Sequence, residues 1–132
     1  MTLLVMATLA AIAGTDAAHH QIPDGLIGLL LLCGVVHALL DGVVVGGMAG
    51  LLICGLPTLL LSLSLKSGFI GGGDIKLCAA LGWLFGPVDG LLVMLAAFVA
   101  LASYGLITHA KNKPIPFAPF VFLAHLALTI FL

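Results

Sequence analysis

Apolar residues run almost unbroken along this chain, and the few polar residues and breakers divide them into six segments: 2–15, 25–40, 43–65, 75–85, 88–108 and 117–132. Runs of this kind predict helices in a bilayer, and so an all-α integral membrane bundle of about six transmembrane helices. The first, second and fourth segments fall short of the ~20 residues a full crossing needs. The fourth reaches only about 17 Å, at 1.5 Å per residue, before Gly86-Pro87 ends it. Either the bilayer is thin there or the polar end of the segment lies below the membrane surface. The second case puts the glycine-rich stretch before it in a wet recess, because irregular backbone at membrane depth survives only where protein or water satisfies it.

Composition strengthens the membrane reading. The chain has 132 residues, of which 63% are hydrophobic and 7% charged, and its mean hydropathy is +1.38. A water-soluble domain of this size cannot cover itself with so little polar surface, so lipid must solvate most side chains. The charges are five aspartates and four lysines, a net of −1, which excludes a nucleic-acid partner. They also sort by loop. Lys66 and Lys76 border the loop between the third and fourth segments, and Lys111 and Lys113 lie between the fifth and sixth, whereas the even loops hold Asp41 and Asp89 and no lysine. By the positive-inside rule the odd loops are cytoplasmic and both termini lie on the far side. The opening residues lack the basic stretch of a cleaved signal, so the first segment is expected to be retained. Nothing in composition or repeats marks a second domain, so residues 1–132 are expected to form one.

Candidate chemistry rests on two of the aspartates. Carboxylates at the mouths of membrane helices are costly and mark function by default. Asp74 closes Gly71-Gly72-Gly73-Asp74 and also suits a helix N-cap. Asp16 is harder to explain structurally, because a negative charge at a helix C-terminus opposes the helix dipole. Either hydrogen bonding in the turn before Ile22-Pro23 or a site shared with Asp74 would justify it. Both aspartates fall on the predicted cytoplasmic side, where the packing of segments one and four would bring them together as a dyad sharing one proton. Such a pair needs no metal and no cofactor. His19 and His20 follow Asp16 at helical spacing, but no third firm ligand accompanies them, so no metal site is expected. His125, inside the last segment, is expected to face protein as a satisfied hydrogen-bonding group. Lys76 either holds Asp74 ionised, meets acidic groups of a substrate, or anchors the helix at the interface. The spaced glycines from Gly42 to Gly55 read as close helix packing. Cys33, Cys54 and Cys78 form no paired motif and read as buried hydrophobes.

Asp16 followed by Ile22-Pro23-Asp24, then Gly71-Gly72-Gly73-Asp74-Ile75-Lys76-Leu77, then Ile115-Pro116-Phe117-Ala118-Pro119-Phe120, resembles the type IV prepilin peptidases, the GxGD aspartic proteases of the inner membrane. The resemblance implies that Asp16 and Asp74 are the catalytic pair. It also implies that Gly71, Gly73, Lys76, Pro23 and Pro116 shape the site or contact substrate, and that the substrate is a prepilin cut near the cytoplasmic face. Larger family members carry a cytoplasmic segment with paired CxxC motifs and also N-methylate the product. This sequence has no such cysteines, so it is similar to the short, peptidase-only form of Flp or Tad pilus systems. The basic residues common after the first aspartate are replaced here by His19, His20 and Gln21. Self-association into a homo-oligomer is compatible with the sequence. The rival reading is a small non-enzymatic protein, a proton-linked carrier subunit or a pilus assembly factor, using the same aspartates. A carrier would ordinarily hold them near mid-membrane and show repeated halves, and no such repeat stands out.

Overall fold

The computed structural model describes residues 2–64, 72–108 and 115–131, and every regular element among them is a helix. The order is α1 (Thr2–His19), α2 (Asp24–Asp41), α3 (Val44–Ser64), α4 (Gly72–Thr108) and α5 (Ala118–Phe131). Helices α1 to α4 are long and apolar enough to cross a bilayer, and α5 is a shorter apolar helix. The chain is therefore a multi-pass, all-α membrane protein.

Helix α4 has 37 residues. As a straight rod it would measure about 55 Å, far beyond the ~30 Å hydrocarbon core. It is not straight, because Gly86 takes φ 82° and ψ −179°, a conformation open to glycine and strained for other residues. A Cβ on Gly90 would lie 3.0 Å from Cα of Gly82, although a continuous helix would hold two such residues about 12 Å apart. The chain therefore folds back at Gly86 into two limbs, 72–85 and 87–108, which correspond to the predicted fourth and fifth segments. Pro87 opens the second limb, where its missing N–H and fixed φ cost nothing.

The limbs pack through small residues. Gly50 on α3 and Gly82 on α4 lie so close that a Cβ on either would overlap the other's carbonyl oxygen, and Gly55 rests on Ala79. Trp83 fills the space beside Gly47 and Gly34, which joins α2 to the same face. Backbones approach this closely in lipid only where side chains are missing, as the glycine spacing predicted for Gly47, Gly50 and Gly55; Gly42 and Gly46 meet no neighbour among the described residues, and Gly42 is instead the left-handed C-cap of α2. Leu9, Ile12, Leu30, Leu77, Leu81 and Val121 are among the most fully buried side chains. Cys33, Cys54 and Cys78 are buried and unpaired in disulfides, consistent with their reading as small hydrophobes.

One expectation about the packing is overturned. Among the described residues α1 packs on α5 and α2, and its backbone makes no approach to α4. The small-residue face of the first α4 limb is taken up by α3, the most extensive helix contact of the bundle, and α1 turns its buried side to α5. The close backbone packing of segments one and four that was expected to bring Asp16 and Asp74 together is therefore not formed among the described residues, although side chains of α1 and α4 share one buried cluster.

Candidate active site

Helix α1 runs past its predicted end through Ala17 and Ala18 to His19, so Asp16 stands inside the last turn. His20 ends the helix at φ 52°, its N–H donating to the Asp16 carbonyl at 2.8 Å. The Asp16 side chain is only 5% exposed. Its Oδ2 accepts a hydrogen bond of 2.9 Å from the N–H of Ala118, the first residue of α5. This partner is neither of the two that the sequence suggested. The unfavourable end of one helix dipole is offset by the favourable N-terminus of another, whose free amides welcome an anion. Pro116 and Phe117 lead into that N-terminus. The Phe117 carbonyl accepts from Phe120 and Val121, and the Phe117 ring packs on Phe98 with centroids 4.9 Å apart.

Asp74 is half-buried and lies in the first turn of α4, which begins at Gly72. It is thus a helical residue, not the N-cap that its place after the glycines suggested, and a carboxylate there complements the helix dipole. Gly73 also belongs to this first turn, and it is small because of a neighbour. A Cβ on it would lie 3.1 Å from Cβ of Ile22, in the connection that follows Asp16. One residue on, Pro23 caps α2 at φ −65°, its carbonyl accepting from Leu26 and Ile27. Lys76 Nζ donates to Asp24 Oδ1 at 2.8 Å, with both side chains largely exposed.

These contacts bring the predicted residues together in two groups. Gly73 and Lys76 meet Ile22 and Asp24, which flank Pro23. Asp16 meets the entry to α5 that Pro116 begins. Both groups lie at one end of the bundle, since α1 ends and α2 begins across a short connection and the start of α4 is held against it. Gly71 lies outside the described residues, as do Lys66, Lys111, Lys113, Pro114 and His109. The amide of Ala118 and the carboxylate of Asp24 were not singled out from the sequence. The available signal for the first was the proline-rich entry to the last segment, since prolines at a helix start leave free amides beside them.

His19 and His20 are exposed, and no group of three or more metal-ligating side chains occurs among the described residues. His125 faces protein as expected. It is buried and stacks on Phe85 with centroids 4.6 Å apart, beside a cavity of about 180 Å³ that Asp89 and Thr129 also line. The satisfied ring that the sequence suggested is not what the structure has. The hydrogen bond recorded at this residue is to its backbone carbonyl, from Thr129, and ring stacking takes the place of a polar partner among the described residues.

The model of the type IV leader peptidase family matches residues 3–106 of the chain. Among curated proteins, the prepilin leader peptidase/N-methyltransferase of Aeromonas salmonicida (strain A449) is 36% identical over 135 residues, covering 92% of this chain and 46% of that protein. Its counterpart in Burkholderia pseudomallei (strain 1026b) is 35% identical over 127 residues, covering 87% and 41%. That of Neisseria gonorrhoeae is 30% identical over 128 residues, covering 89% and 43%. The chain thus spans about half the length of the curated relatives it matches. No solved structure matches it significantly.

Proposed function

The chain belongs to the type IV leader peptidase family, and on that premise we propose that it is a membrane-embedded aspartic endopeptidase removing the N-terminal leader from Flp-like or other type IV prepilins. Asp16 and Asp74 are the reacting pair. The observation that carries this reading is a buried carboxylate at the end of α1, held by a backbone amide, at the bundle end where Asp74 opens α4.

With one proton shared between the two carboxyls, the unprotonated member takes a proton from a bound water, and the water oxygen attacks the scissile carbonyl carbon. The protonated member donates to the carbonyl oxygen as it gains charge. A proton then passes to the amide nitrogen, the C–N bond breaks, and the new amine and carboxylic acid leave the pair with its single proton. The bond from Ala118 occupies Oδ2 of Asp16, so in this reading the other oxygen is the one that meets the water. Gly73, Lys76, Pro23 and Pro116 shape the walls around the pair. This reading puts the protein in the inner membrane as one domain, with the site at the cytoplasmic face and both termini opposite.

The test is co-expression with a candidate prepilin, with leader loss read on a gel. Cleavage is expected from the unaltered chain and from neither Asp16→Asn nor Asp74→Asn, while both variants stay in the membrane. Substantial cleavage by either variant would sink the assignment. Cysteines placed at His20 and at Asp41, in a background without native cysteines, should label from opposite sides, His20 from the cytoplasm.

A further inference from the structure

We propose that the Asp24–Lys76 ion pair is a positioning clasp, which fixes the rotation of the first turn of α4 and so aims Asp74 at Asp16. The proposal rests on the reading that these two aspartates react. It assigns Lys76 a role apart from both direct support of Asp74 and contact with substrate.

The need for a clasp follows from the packing. The backbones of α1 and α4 make no close approach to each other among the described residues, so the relation of the two carboxyls is not set by tight backbone packing of those two helices. Asp16 is fixed from one side by the Ala118 amide. On the other side, the connection leaving α1 and the first residue of α2 each reach the start of α4. Ile22 abuts Gly73, and Asp24 holds Lys76 at 2.8 Å. Pro23 stands between these points with a ring-locked φ, so the two contacts are presented as one stiff unit.

Helical geometry then separates Lys76 from Asp74. Residues two apart on a helix lie about 200° around its axis and do not face each other. With Lys76 drawn to Asp24, Asp74 is turned to the other side of the helix, away from α2. Rotating that turn by about 20° would move a carboxyl 5 to 6 Å from the axis by about 2 Å, and a displacement of about 1 Å can cost 10²-fold in rate. An exposed pair is weak by itself. It is effective here because it needs only to select one rotation of a short first turn already confined by Ile22.

The experiment measures kcat and KM for prepilin cleavage in membranes holding equal amounts of each variant. Lys76→Met and Asp24→Asn should each lower kcat about fivefold and leave KM unchanged, and Lys76→Arg should retain most of the rate. Asp24→Lys and Lys76→Asp should each lower kcat tenfold or more through like-charge repulsion. Combining those two reversals should bring kcat back to within about threefold of the unaltered protein. A double reversal as impaired as Lys76→Asp alone would overturn the clasp and return Lys76 to direct action on Asp74. A change confined to KM would overturn it in favour of substrate contact, and single variants with unaltered kcat would remove any role for the pair. Asp16→Asn and Asp74→Asn serve as the separate control. If either of these cleaves, the dyad is wrong, whatever the clasp variants do.

Discussion

Each end of this bundle carries a short side-chain contact to an aspartate, and the two pairs differ in what they join. At the end beyond α2, His37 Nδ1 meets Asp41 Oδ2 at 2.8 Å, a pair four residues apart on one helix that adds nothing to tertiary structure. At the other end, Lys76–Asp24 spans 52 positions and Ala118–Asp16 spans 102, each tying together elements distant in sequence. Between the two ends the helices are joined by glycine faces and hydrocarbon, with no charged contact recorded among the described residues. A bundle held together in its middle by close packing has no structural need for long-range polar ties at one end. Their concentration beside Asp16 and Asp74 marks that end as the one where geometry is controlled.

The sharpest way to break this comparison is to neutralise one aspartate at a time. Asp16→Asn or Asp74→Asn should abolish leader removal, a loss of at least 10³-fold on the gel, whereas Asp41→Asn and Asp89→Asn should cleave almost as the unaltered chain does. Equal losses at both ends would erase the distinction. The middle of the bundle should answer in stability instead of chemistry. Gly82→Val forces α3 and α4 apart where their backbones touch, with overpacking costs of about 3 kcal/mol or more, and should deplete folded protein from the membrane. Gly73→Val should behave in the opposite way, lowering cleavage about tenfold with little loss of protein, because the described atoms nearest an added side chain are those of the Ile22 side chain, not backbone. Adding Ile22→Ala should recover much of that rate, which would locate the fault in the contact. The smallest effect belongs to His37→Gln, which removes an exposed local pair and should change stability by no more than about 0.5 kcal/mol in a thermal melt of the detergent-solubilised protein.

Much of the fold was legible because its signals are local. The break at Gly86-Pro87 and the glycine spacing on α3 each need only a short window of sequence. Two local readings still missed. Helix α1 outlasts its predicted end because Ala17 and Ala18 continue it without a breaker, and Asp74 is a helical residue because the glycines before it join the turn instead of preceding it. For the candidate site the sequence offered a list of residues and not an arrangement. No pattern near Asp16 points to an amide 102 positions away, and which lysine Asp24 meets depends on how α4 is rotated. The expected meeting of the first and fourth segments failed for the same reason. It required knowing that α3 had already claimed the small-residue face of α4.

The reversal at Gly86 also bears on how the protein enters its membrane. The limb 72–85 is too short for the ~20 residues of an independent span and begins with Asp74 and Lys76, so it makes a poor insertion signal alone. The limb 87–108 is longer and carries only Asp89 near its start. Since the chain turns within a residue or so, there is no long hydrophilic loop to translocate, and the two limbs are expected to partition as one helical hairpin led by Gly86-Pro87. Biogenesis thereby couples the weak segment to the strong one. The carboxylate that opens α4 is kept at its own side of the bilayer by the hydrophobicity of residues that fold back beside it, without any crossing of its own.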